Sequence, residues 1–123
     1  MARRKRKLFV PREVEIQAAC LEHWLALGLP NTLVAAIPNA FAHGQPGLTR
    51  GLPDLLVLGP RVPSGVGFIE LKRDAASPIS AEQLAFGDLC FKLYIAHAIC
   101  VGRDEPIRQL ERWGVVKAQA RAA

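Results

Sequence analysis

The sequence predicts an α/β fold built on one mixed sheet with helices packed on it, and three observations lead there. The chain has 123 residues, the size of one domain. Half of those residues are hydrophobic, enough for a real core at this length. The segments follow the order α-β-β-β-α-β-α, in which one pair of strands is joined by a tight turn and another by a helix.

The first helix spans Arg12 to Leu27 and is stopped by Gly28 and Pro30. "TLVAAI", Thr32–Ile37, is a short strand that ends at Pro38. "PNAFAHGQPGLTRG", Pro38–Gly51, is a glycine-containing loop. "DLLVLG", Asp54–Gly59, is a buried strand, and its first position follows Pro53, which has no N–H to give a neighbour. "RVPSG", Arg61–Gly65, is a turn, and "VGFIELKR", Val66–Arg73, is the strand that completes a hairpin. Ser80 to about Lys92 is helical, "IAHAICV", Ile95–Val101, is a strand, and Asp104 to Trp113 is a last helix ended by Gly114. These elements divide the chain into a basic arm over 1–10, one folded domain over 11–114, and a fraying tail over 115–123.

No apolar run approaches the roughly 20 residues of a membrane span, and the basic N-terminus has no long apolar region of the signal-peptide kind. Cys20, Cys90 and Cys100 sit in apolar segments and read as reduced core residues of a cytoplasmic protein. The charge is uneven. Lys and Arg number 16 against 11 acids, for a net +5, and five of those bases are Arg3, Arg4, Lys5, Arg6 and Lys7. Without them 11 bases face 11 acids, so residues 8–123 are formally neutral. Such an arm suits nucleic-acid phosphates, or serves as a solubility tail.

The hairpin raises a chemical question, because it carries Asp54, Glu70 and Lys72 in apolar surroundings. Side chains alternate along a strand, so Phe68, Glu70 and Lys72 share one face and Ile69 and Leu71 the other. If the two strands pair, Asp54 and Glu70 converge. Two adjacent carboxylates need a cation at neutral pH. Hard oxygen ligands with waters suit Mg²⁺ or Mn²⁺, which polarises a phosphoryl oxygen and acidifies a bound water. Lys72 is then placed to orient that water or to offset charge on phosphate. The alternative is a plain cross-strand salt bridge on a solvated face.

The first helix holds two candidate acids. At 100° per residue, Glu13 falls at roughly 260°, between Cys20 at roughly 240° and Trp24 at roughly 280°. Glu15 falls at roughly 100°, beside Glu22 on the polar face. Glu13 therefore points inward, where an acid needs partners; otherwise it serves only the helix dipole in the first turn. Ser80-x-x-Gln83 is a capping-box pattern, with Gln83 reaching back to the cap N–H. Asn39, His43 and Arg50 lie in or beside the glycine-containing loop and either touch phosphate or are ordinary loop polar residues. His23 and His97 read as structural, and Trp24 and Trp113 as core.

The larger pattern is Glu13 on the first helix, "IPNA" at Ile37–Ala40, "GLPDLLVL" at Gly51–Leu58, "FIELK" at Phe68–Lys72 and "SAEQ" at Ser80–Gln83. In this order it resembles the PD-(D/E)XK nuclease superfamily, and more closely its virus-type replication-repair nuclease domain, VRR-NUC. The resemblance runs from about Pro11 to Trp113. It departs where the family often has glycine after "PN" and this chain has Ala40. The resemblance implies a restriction-endonuclease-like core and metal-dependent hydrolysis of DNA phosphodiester bonds, with branched or structured DNA as substrate and a homodimer as the working form. It implies metal binding by Asp54, Glu70 and the Leu71 carbonyl, and Lys72 beside the attacking water. It also points Glu13 and Gln83 toward the active site. A DNA-binding module that kept the fold without cleavage is the alternative, as is a structural protein whose acids and lysine make salt bridges.

Overall fold

A computed structural model describes residues 12–38 and 49–120. Its elements are α1 (Glu13–Leu27), β1 (Leu33–Ala36), β2 (Leu55–Leu58), β3 (Val66–Lys72), α2 (Ala81–Lys92), β4 (Ala96–Val101) and α3 (Asp104–Arg112), with a 3-10 turn at Pro63–Gly65 between β2 and β3. Each expected element is present, shifted by at most a residue or two at its ends. Arg12, expected to open the first helix, is instead the extended residue just before it, and Ser80 is the N-cap that the capping-box pattern calls for.

The four strands lie in the order β1-β2-β3-β4. β1 pairs antiparallel with β2 and β2 with β3, whereas β3 and β4 run parallel, joined by the crossover through α2. The sheet is therefore mixed. β2 pairs Leu55 with Ile69, so its register, continued by one residue, sets Asp54 opposite Glu70. Side chains directly opposite on antiparallel strands share a face.

The main core lies on one face of the sheet, toward α1 and α3. Ile16 and Cys20 of α1 meet Val34, Leu55, Val57, Ile69, Leu71 and Cys100 of the strands, with Leu110 from α3. The three cysteines are free and buried, and burial pushes the Cys20 and Cys100 thiols up to about 12. On the other face α2 covers β3 and β4. Phe86 packs edge-on against Phe68 with ring centroids 5.1 Å apart and also touches His97. Glu70 and Lys72 share the face of Phe68, and so face α2.

The C-terminal segment departs from expectation. Rather than fraying from residue 115, the chain buries Val115 and Val116 completely. Leu29 N–H donates to the Val115 carbonyl at 2.9 Å, and Lys117 N–H to the Leu27 carbonyl at 2.9 Å. Two apolar residues and a short antiparallel pairing with the end of α1 outweigh the polar composition that follows them. Gly28 permits this join, because a Cβ there would stand 2.5 Å from the Trp24 carbonyl oxygen. Trp113 is a core residue, while Trp24 is half-buried and donates its indole N–H to Thr32 Oγ1 at 3.0 Å. Among the described residues no helix is long and apolar enough to cross a membrane.

Candidate active site

Asp54 is delivered by the bend that precedes β2. Gly51 takes φ +84°, a left-handed conformation natural to glycine, and a Cβ there would lie 2.5 Å from Glu82 Cβ. That close approach seats the "GLPD" segment against the start of α2. Asp54 Oδ2 then accepts the Leu71 N–H at 2.7 Å, so the carboxylate is fixed across the hairpin.

Glu70 and Lys72 are 3% and 5% exposed, which removes the reading of a salt bridge on a solvated face. Lys72 Nζ lies 3.6 Å from Glu70 Oε1. It donates to the Pro78 carbonyl at 2.8 Å and to Gln83 Oε1 at 3.0 Å. Gln83 Nε2 in turn donates to Glu70 Oε1 at 2.5 Å.

Gln83 makes the cap and also reaches Glu70 and Lys72, so the two placements are compatible. Its backbone N–H donates to Ser80 Oγ at 3.1 Å, and its Oε1 accepts the Ser80 N–H at 2.9 Å. A carboxamide has an acceptor end with two lone pairs and a donor end with two N–H bonds. The acceptor end serves Ser80 and Lys72 together, and the donor end serves Glu70. The capping box thus aims the side chain into the site.

Glu13 completes the cluster. Its pKa is raised, first by burial and then by the Asp54 charge, while the Lys72 ammonium and the Arg73 backbone N–H oppose the shift. Glu15 turns outward and pairs with Arg12 at 3.0 Å. Both acids are partly buried, and the surroundings of Glu13, unlike those of Glu15, include Asp54 and Lys72. The Asp54 pKa is raised by burial, against the Leu71 N–H. Glu70 is pushed up to about 8, first by burial and next by Asp54, whose carboxyl is close enough to hydrogen-bond it. Three carboxyl groups thus feel one ammonium, with Glu70 at ion-pair distance from it.

This crowding of carboxyl groups with raised pKa values is the test of whether a divalent cation fits. Among the described residues no three His, Cys, Asp or Glu side chains form a ready-made coordination shell. Mg²⁺ does not require one, since it keeps several waters and takes one or two carboxylates. Asp54 and Glu70, side by side and short of positive charge, match that demand.

Arg50 is exposed, just before Gly51. Asn39, His43 and the arm residues Arg3, Arg4, Lys5, Arg6 and Lys7 lie outside the described residues. Sequence reasoning missed the Pro78 carbonyl as a partner of Lys72. The available signal was the turn chemistry of "DAASP" at Asp74–Pro78.

Neither a family model nor a curated protein matches this sequence. Solved structures do. One described as a VRR_NUC domain is 28% identical and superposes with a TM-score of 0.56, over 80% of this chain and 92% of that one. Another, described as a VRR_NUC domain protein, is 18% identical with a TM-score of 0.69, over 91% of this chain and 99% of that one; at that identity it speaks to the fold alone. The mixed four-stranded sheet flanked by helices agrees with that likeness, so the chain has the α/β nuclease-like fold of these VRR_NUC structures.

Proposed function

We propose that this protein is a Mg²⁺- or Mn²⁺-dependent nuclease that hydrolyses DNA phosphodiester bonds as an endonuclease on structured or branched DNA. The observation that carries the reading is the cluster of buried Glu70 and Lys72 with partly buried Asp54, and Glu13 beside it. A protein that only bound DNA would gain nothing from three carboxylates near phosphate, since they repel it.

Asp54 and Glu70 would hold the cation, with the Leu71 carbonyl as a further ligand that the family resemblance supplies. When bound, such an ion acidifies a water and offsets charge on the phosphoryl oxygens. The chain's own part is positioning and electrostatic stabilisation. Lys72 presents an ammonium to the water or the phosphate. Gln83 keeps Lys72 and Glu70 in register, and Glu13 adds a further carboxyl near Asp54 for the cation to draw on.

DNA would be drawn in by Arg3–Lys7, since the remainder is formally neutral, with Asn39, His43 and Arg50 as closer contacts. A homodimer fits the same reading, because one site cuts one strand. The outer surface of α2 and the residues just beyond it supports it, exposing Leu84, Leu89, Phe91, Leu93 and Tyr94.

The test is a panel of linear, nicked, flap and four-way-junction DNA, each with Mg²⁺, Mn²⁺ or EDTA. Cleavage with either metal and none in EDTA is expected, fastest on the branched substrates. Sedimentation of the same preparation should show a dimer, and deleting Met1–Lys7 should weaken binding most at low salt. Binding without cleavage on every substrate would select a DNA-binding module instead.

A further inference from the structure

An ammonium carries three N–H donors. On Lys72 two of them are committed at hydrogen-bond distance, to the Pro78 carbonyl at 2.8 Å and to Gln83 Oε1 at 3.0 Å. The third side faces Glu70 at 3.6 Å, the length of an ion pair rather than of a hydrogen bond. Two anchors therefore fix the amine and leave one N–H free to turn to a new acceptor. Gln83 is one anchor. The other is a backbone carbonyl, and its place depends on the segment that joins β3 to α2.

That segment is tied by Asp74. Asp74 Oδ1 accepts the Ala76 N–H at 3.0 Å and the Ser77 hydroxyl at 3.2 Å, and the Asp74 carbonyl accepts the Ser77 N–H at 3.2 Å. Three hydrogen bonds close a tight turn over Asp74–Ser77. The proline ring then restricts Ser77 to extended backbone and fixes the φ of Pro78 itself. Few rotations remain between the turn and the Pro78 carbonyl. Asp74 also stands 3.5 Å from Arg73 Nε, but both side chains are about half exposed, and such a pair contributes little.

We propose that Asp74 is a positioning residue for Lys72: its turn sets the Pro78 carbonyl, and that carbonyl holds the ammonium with one N–H directed at the site. The consequence for catalysis rests on the nuclease reading above. The tether itself does not.

Two variants test it. Asp74→Ala removes the acceptor, while Asp74→Asn keeps an oxygen that can close the same turn but loses the charge that pairs with Arg73. The single-turnover cleavage rate should fall about tenfold in Asp74→Ala, with DNA affinity and Tm near wild type, and Asp74→Asn should recover most of the rate. A wild-type rate in Asp74→Ala, or an Asp74→Asn variant as slow as Asp74→Ala, would overturn the proposal. A second readout is independent of cleavage. In ¹H–¹⁵N spectra of the DNA-free protein, the Lys72 ammonium protons should exchange slowly with water in wild type and Asp74→Asn, and faster in Asp74→Ala. Equal exchange in wild type and Asp74→Ala, or no slowly exchanging Lys72 signal in wild type, would refute the tether. Failure of the wild-type protein to cut DNA would strike the nuclease reading alone, with the exchange experiment still deciding the role of Asp74.

Discussion

Glu70→Gln should reduce DNA cleavage to below about a thousandth of the wild-type rate, and Lys72→Ala should reduce it at least about a hundredfold. The two losses have different origins. Glu70→Gln keeps an oxygen to accept from Gln83 Nε2, so the hydrogen-bonded frame survives. It replaces a carboxyl beside Asp54 that a cation could ionise and bind with an amide that cannot carry charge. Burial and Asp54 already favour the neutral form of Glu70, so a neutral amide in its place costs the fold little and Tm should hold or rise. Lys72→Ala takes away the one ammonium among three carboxylates. The Pro78 carbonyl and Gln83 Oε1 both lose a donor, and Tm should fall. DNA affinity should stay near wild type in both. Single-turnover rates at matched protein concentration, with melting curves, separate catalysis from stability. Full activity in either variant would remove the chemistry from these residues.

The second large effect lies on α1. Glu13→Gln should slow cleavage by about tenfold or more, while Glu15→Gln stays within about twofold of wild type. The two acids are two positions apart in one helix and chemically identical. Glu13 shares its surroundings with Asp54 and Lys72, and its raised pKa records burial and the Asp54 charge. Glu15 makes a surface ion pair with Arg12. Comparing the two at matched Mn²⁺ isolates position from composition. Equal losses, or a larger loss at Glu15, would contradict the geometry.

These residues also show what the sequence could disclose. Alternation along "FIELK" placed Glu70 and Lys72 together and Ile69 and Leu71 in the core, because a strand has a period of two. The turn at Arg61–Gly65 announced the hairpin, and from it the meeting of Asp54 with Glu70. Angular position on α1 told Glu13 from Glu15, since Ile16 and Cys20 are its two fully buried side chains and lie on the same side as Glu13. What stayed hidden depended on contacts between distant segments. Val115 and Val116 looked like the start of a tail because their partners, Leu27 to Leu29, lie far back in the chain. Gln83 looked divided between two roles because a capping box is a local pattern, whereas its second set of partners arrives only once β3 lies alongside α2. The Pro78 carbonyl is a backbone group with no residue type to mark it. Asn39, His43 and the basic arm lie outside the described residues, so their expected contact with DNA stands on sequence alone.

Asp54 and Glu70 should form a divalent-cation site beside Lys72, and Mn²⁺ binding measured by calorimetry tests this without any DNA. Wild-type protein should bind one Mn²⁺ per chain. Asp54→Asn and Glu70→Gln should each weaken binding by at least about tenfold, while Glu15→Gln leaves it unchanged. Affinity should also rise from about pH 6 to about pH 8. Burial and the neighbouring Asp54 raise the Glu70 pKa, so the cation competes with a proton for that carboxyl. Wild-type protein that binds no Mn²⁺, or that binds it equally well after both substitutions, would contradict the account.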